Sequence, residues 1–158
     1  MDVTAVLAEL GRQTGLGQLG LDAEKRCTLC FDGVHNITFE HDAEDHALLV
    51  YGIVGSSAGL RTVGDYRALL EASLLGAQTG GAAFGVHAAT EELVLWKRLG
   101  DEFADYAVFA AALNDFLAQF ANWKKKIPEM ERAAKADPVN MKAAAAGPVL
   151  APPLGMRV

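Results

Sequence analysis

Arg26-Cys-Thr-Leu-Cys-Phe31, Asp32-Gly33, Val34-His-Asn-Ile-Thr-Phe-Glu40 and Ala47-Leu-Leu-Val-Tyr-Gly-Ile-Val54 together decide the fold. The three longer runs read as consecutive antiparallel strands, and Asp32-Gly33 between the first two is a strong hairpin signal. A two-residue loop at Asp32-Gly33 would set Leu29 opposite Asn36 and Cys27 opposite Thr38, mixing apolar and polar side chains on one face. A three-residue loop, Phe31-Asp32-Gly33 with Gly33 left-handed, pairs Leu29 with His35 and Cys27 with Ile37. One face then carries Cys27, Leu29, Ile37 and Phe39, and the other Thr28, Cys30, Asn36, Thr38 and Glu40. A half-buried sheet requires that segregation, so the pattern predicts the three-residue loop. The third run does not alternate. Either it is a central strand, or its second face awaits a partner.

Outward from this sheet, Val3, Val6, Leu7 and Leu10 recur at helical spacing. They predict a helix from Asp2, as N-cap, to about Thr14, ended by Gly11, Gly15 and Gly17. Thr62-Val63-Gly64-Asp65 has the form of a capping box and opens a second helix over Val63–Leu75. Its stripe is Tyr66, Leu69, Leu70, Ser73 and Leu74. Strands follow at Ala82–Val86 and Glu92–Leu99, the latter apolar on both faces. A last helix starts at Asp101 or Asp105, with Phe109, Leu113, Phe116, Leu117, Phe120 and Trp123 on one broad stripe. Lys124–Lys126 suit a helix C-terminus, and Pro128 is expected to break the pattern. The division is thus a domain over 1–127 and an Ala-, Pro- and Gly-rich tail over 128–158, with a short helix allowed at Glu129–Lys135. The predicted class is α+β: a twisted antiparallel sheet with helices packed on it, in the order α-β-β-β-α-β-β-α.

A chain of 158 residues can bury a real core as one domain. Its net charge of -6 argues against bulk electrostatic binding to nucleic acid or to an anionic membrane. No stretch approaches the roughly 20 apolar residues that span a bilayer. The opening Met-Asp-Val-Thr lacks the basic and apolar regions of a secretory signal, so a cytoplasmic location without membrane insertion is expected.

Motifs that invite chemistry do not assemble into a site. Cys27 and Cys30 have C-x-x-C spacing, but inside a strand residues three apart point to opposite faces. His41-Asp42-Ala43-Glu44-Asp45-His46 reads as a solvated turn, since its spacing is not that of a metal site. Gln78-Thr79-Gly80-Gly81 lacks the Lys-Ser/Thr of a phosphate loop. No cofactor and no metal are expected. A small enzyme using His35, His41, His46 or His87 with a carboxylate, and a dimeric binding or regulatory module with a folded partner, remain the rival readings.

The order of elements, with Leu19-Gly-Leu-Asp22, Cys27-Thr-Leu-Cys-Phe-Asp-Gly-Val34, Leu48-Leu-Val-Tyr-Gly-Ile-Val-Gly55, Thr79-Gly-Gly-Ala-Ala-Phe-Gly-Val86 and Phe116-Leu-Ala-Gln-Phe-Ala-Asn-Trp123, resembles the Tir chaperone (CesT) family, the class I chaperones of bacterial type III secretion. The resemblance covers about residues 3–127. It implies a homodimer without catalysis. The expected partner is an effector whose N-terminal segment binds in extended form and is kept competent for export, with the secretion ATPase as a further partner. It implies a dimer interface on the second helix and later strands, here Tyr66, Leu69, Leu70, Leu74, Val94 and Trp96. Strand addition and apolar grooves would receive the client, with Val34, Leu48, Val50 and Val54 as receiving residues and Leu7 and Leu10 at the margin.

Overall fold

The computed structural model describes residues 2–60, 62–100 and 104–136. Helix α1 spans Val3–Thr14, strands β1, β2 and β3 span Arg26–Phe31, His35–Asp42 and Ala47–Ser56, and a 3₁₀ turn covers Ser57–Gly59. Helix α2 spans Val63–Ser73 and passes into a second 3₁₀ turn at Leu74–Gly76. Strands β4 (Ala83–His87) and β5 (Glu92–Leu99) and helix α3 (Tyr106–Ala136) complete the expected order. The strands form one antiparallel sheet in the order β1-β2-β3-β5-β4. The unalternating run at β3 is therefore the central strand.

The hairpin corrects the predicted register while keeping its faces. Phe31 pairs with His35, Leu29 with Ile37 and Cys27 with Phe39. The three-residue loop is Asp32-Gly33-Val34, one residue later than expected. Asp32 and Gly33 are both left-handed (φ 52° and 69°), and the Val34 N–H closes onto the Phe31 carbonyl at 3.1 Å. Val34 is the extra residue and stands 67% exposed. The pairing slides by two residues, and because side chains alternate with period two, each residue keeps its side.

On the inner face Leu29, Ile37, Phe39, Leu48, Val50, Val54, Leu93, Leu95 and Leu99 are buried, in one core with α1 and α3. Asp2 caps α1 by accepting from the Ala5 N–H at 2.7 Å, and Val3, Val6, Leu7 and Leu10 point inward. From α3 come Phe109, Leu113, Phe116, Phe120, Trp123 and Ile127, all buried. A side chain at Gly52 would put its Cβ 2.6 Å from the Phe120 ring, so this glycine lets α3 lie close on the central strand. Asp105, not Asp101, caps α3: its carboxylate accepts from the Ala107 and Val108 amides at 2.7 and 3.2 Å. Asp101 lies outside the described residues.

Pro128 does not end α3, contrary to the sequence expectation, and the boundary drawn at 127/128 falls inside the helix. A proline in a helix interior costs about 3 kcal/mol through a lost hydrogen bond and a clash with the preceding turn. Burial of Ile127 just before it and packing of Met130 just after it on the core offset that cost. The tail beyond 136 lies outside the described residues.

Candidate dimer and client surfaces

Among the described residues the most exposed large apolar side chains cluster around α2. Its entry is fixed by the capping box read from the sequence: the Thr62 N–H donates to Asp65 Oδ2 at 2.9 Å, and the Asp65 N–H donates to Thr62 Oγ1 at 3.1 Å. Along the helix only Leu69 and Ala72 turn fully inward. Ser73 attaches α2 to the outer edge of β4, since its hydroxyl donates to the Leu69 carbonyl at 2.9 Å and accepts from the Phe84 N–H at 3.1 Å. β4 is the last strand of the sheet, and this bond occupies one of the edge donors that strand pairing would otherwise use.

Tyr66, Leu69, Leu70, Phe84, Val86 and Leu93 wall a small, almost wholly apolar cleft of about 160 Å³ between α2 and β4. Around it Val63 is 84%, Leu70 71%, Leu74 68% and Leu75 96% exposed. Leu74 leaves the helical region (ψ 111°) and ends α2 two residues sooner than predicted, and Leu75 after it holds a left-handed backbone (φ 52°) and stands exposed. A large apolar strip of this kind on a folded chain marks an interaction surface.

Of the residues expected at a dimer interface, Tyr66, Leu70 and Leu74 lie on this strip, and Leu69 lies beneath it. Val94 and Trp96 point to the other face of the sheet. There Trp96 stands opposite Tyr51 and Ala83 and is itself 40% exposed. The sequence reading missed Val63, Leu75, Phe84 and Val86. Val86 was legible as an alternating strand residue. Leu75 was not, because a left-handed leucine leaves no sequence signal.

The residues expected to receive a client divide differently. Leu7, Leu48, Val50 and Val54 have their side chains sealed in the chain's own core, and Leu10 is 4% exposed. The reason is topological: β3 is central, and α1 lies against the same core as α3, so these side chains have no free surface to offer. Leu10 still forms part of the wall of a cleft of about 490 Å³ between α1, the β1–β2 hairpin and α3, shared with Phe31, His35, Tyr106 and Leu117. His35 sets its ring edge-on to Phe120 at 5.5 Å, and among the described residues its buried Nδ1 has no hydrogen-bond partner. Burial raises the pKa of Tyr106 at the same cleft. Val34 borders a second cleft of about 400 Å³ with Thr28, Thr38, Tyr51, Ile53 and Lys124, where Lys124 Nζ donates to the Ile53 carbonyl at 2.8 Å.

The outer face near this second cleft is polar and internally paired. Arg26 Nε donates to Glu40 Oε2 at 3.0 Å, the Tyr51 hydroxyl donates to the same oxygen at 2.9 Å, and the Thr28 and Thr38 hydroxyls meet at 2.9 Å. Burial, then the bond to Glu40, pushes the Tyr51 phenol up, while the nearby Glu40 carboxylate raises Arg26. Cys27 and Cys30 are free thiols on opposite faces, and burial raises the Cys27 pKa, which keeps it protonated and a poor nucleophile. Among the described residues no three His, Cys, Asp or Glu side chains gather as a metal set, and no helix is long and apolar enough to cross a membrane.

A sheet covered on one side, with an apolar strip on α2 and clefts beside its hairpin and helices, defines a binding protein built to meet other chains. The chain belongs to the Tir chaperone protein (CesT) family, whose profile matches residues 5–124. Its fold is similar to a chain of the ExsC–ExsE complex at 26% identity and a TM-score of 0.66, over 79% of this chain and 96% of that one. It is also similar to a chain of the HopA1–SchA chaperone–effector complex (16% identity, TM-score 0.65, 77% and 91% covered). A third likeness is to a chain of the heterodimeric ExoU–SpcU complex from the type III secretion system of Pseudomonas aeruginosa (19% identity, TM-score 0.58, 81% and 96% covered). No curated protein sequence matches the chain.

Proposed function

We propose that this protein is a bacterial cytoplasmic chaperone of type III secretion. It binds the N-terminal segment of an effector in extended form and keeps that segment competent for export. The observation that carries this reading is membership of the CesT family across every strand, all of α2 and all but the first two residues of α1. The solved complexes of similar fold, one of them described as chaperone–effector, support an effector as the partner. The protein works by binding and not by catalysis, as its family does, and it would present its loaded client to the secretion ATPase.

The geometry suggests how the work is divided. The strip on α2 and β4 serves a two-fold homodimer, in which the same patch on each copy covers the other. A credible interface of this kind buries more than about 1,000 Å² in total. The clefts at Leu10 and at Val34 receive client side chains. Ordering an extended segment costs entropy, which lowers affinity per unit area, and the apolar burial gives a negative heat-capacity change.

The test is a titration of the purified protein with an effector's N-terminal fragment, followed by hydrogen exchange on both chains. Protection should appear along an extended client segment and at the α1–hairpin–α3 cleft, and EDTA should leave binding unchanged. Binding only to a pre-folded domain would overturn the reading. Leu70→Asp should turn the dimer into a folded monomer, because a carboxylate would be buried without a partner only in the dimer. Sedimentation with circular dichroism reads both properties.

A further inference from the structure

The family match ends at residue 124, yet α3 continues to Ala136. The added part, about three turns, is not a loose appendage. Ile127 is fully buried, and Met130 packs against the core. The surface it meets is the knuckle from Gly55 to Leu60. β3 changes register between Ile53 and Gly55, and a Cβ on Gly55 would fall 2.6 Å from Ile127 Cγ2. A Cβ on Gly59 would collide with the Glu131 side chain. Two glycines thus let the knuckle lie flush on the end of α3. Ile127 cannot step aside, whereas the Glu131 end could.

The knuckle in turn holds both halves of the open apolar strip. The Ser57 N–H, the Ser57 hydroxyl and the Ser56 hydroxyl all donate to the Glu91 carbonyl, at 2.8, 3.1 and 3.2 Å. Glu91 lies in the turn that joins β4 to β5. On its other side the knuckle accepts at the Ser57 carbonyl from the Tyr66 hydroxyl of α2 at 3.3 Å, and it leads through Leu60, buried in the core, to the α2 cap at Thr62.

We propose that residues 125–136 of α3 brace this knuckle, with Ile127 as the positioning residue, and so hold α2 and β4 in the relative placement that a second copy of the chain recognises. The inference rests on the homodimer reading above. It assigns to the helix beyond the family's span a role in assembly, separate from its share of the core.

The experiment compares the full chain with Ile127→Ala and with the milder Ile127→Val, by hydrogen exchange and by sedimentation over a dilution series. For Ile127→Ala, amides of residues 57–60 and 62–66 should exchange at least about tenfold faster, as expected of a locally opened unit, while those of β2 and of β3 before Gly52 change by less than about twofold. The dimer dissociation constant should rise about tenfold. Ile127→Val should show the same pattern at smaller amplitude, and it decides the matter if Ile127→Ala does not fold. A uniform rise in exchange across the sheet overturns the proposal, since Ile127 would then be an ordinary core residue. A wild-type dimer whose dissociation neither variant moves overturns the brace and leaves the homodimer standing. A monomeric wild-type chain overturns both.

Discussion

Helices α2 and α3 have similar sequence patterns and opposite fates. Each carries an apolar stripe at helical spacing. On α3 Phe109, Leu113, Phe116, Phe120, Trp123 and Ile127 are buried and Leu117 is half-buried, because the stripe crosses the inner face of the sheet. On α2 only Leu69 and Ala72 are covered, and Leu70 and Leu74 remain more than two-thirds exposed. α2 sits beside the last strand, where the sheet has run out of width. Periodicity identifies an apolar face, while position in the sheet decides whether the same chain can cover it.

That contrast can be broken by mutation. Phe116→Ala should destabilise the protein by about 3–5 kcal/mol, because it empties a fully covered site in the core. Urea denaturation reads this loss, and a cost no larger than that of an exposed leucine on α2 would erase the distinction between the helices. Leu29→Ala, on the inner face of β1 at 8% exposure, should cost about 2–5 kcal/mol, towards the lower end because β1 is an edge strand. The same denaturation series checks it.

Smaller effects sharpen the comparison at the helix ends. Thr62→Ala removes one half of the capping box and should cost about 1 kcal/mol, with the loss concentrated in α2. Faster exchange of the first α2 amides would report it, with α3 unchanged. The smallest effect concerns α1. Hydrogen bonds from Arg12 and then Gln13 hold the Glu9 pKa down, from 4.5 to about 2. A lowered carboxylate pKa stabilises the fold above the ordinary pKa, and that contribution fades as pH falls from about 4.5 through about 2. Its partners Arg12 and Gln13 are both exposed, so solvent screening keeps the effect on stability slight. A carbon-detected NMR titration should place the Glu9 midpoint near 2 in the native chain and near the ordinary value in Arg12→Ala.

Sequence reading went furthest where a local rule has one physical solution. The alternation around Asp32-Gly33 recovered both faces of the hairpin, and Thr62 with Asp65 announced the start of α2. It erred by two residues in the register, because a shift of two leaves every face intact and the apolar pattern cannot detect it. It stopped α3 at Pro128, because the cost of the proline is local and visible while the compensation from Ile127 and Met130 comes from distant strands.

The candidate site was legible by half. Leu70 and Leu74 could be read as an unmatched stripe, and they are open. Leu48, Val50 and Val54 looked like surplus apolar surface of the same kind, and they are core. The sequence by itself determined the elements, their order, the two faces of the β1–β2 hairpin and the N-caps of α1 and α2, because these follow from side-chain period and from hydrogen bonding within a few residues. Only the tertiary structure decided that β3 is central, that α2 lies at an edge and that the end of α3 rests on Gly55 and Gly59. Those outcomes depend on which surfaces meet across long stretches of chain, and an apolar side chain carries no mark of which neighbour will cover it.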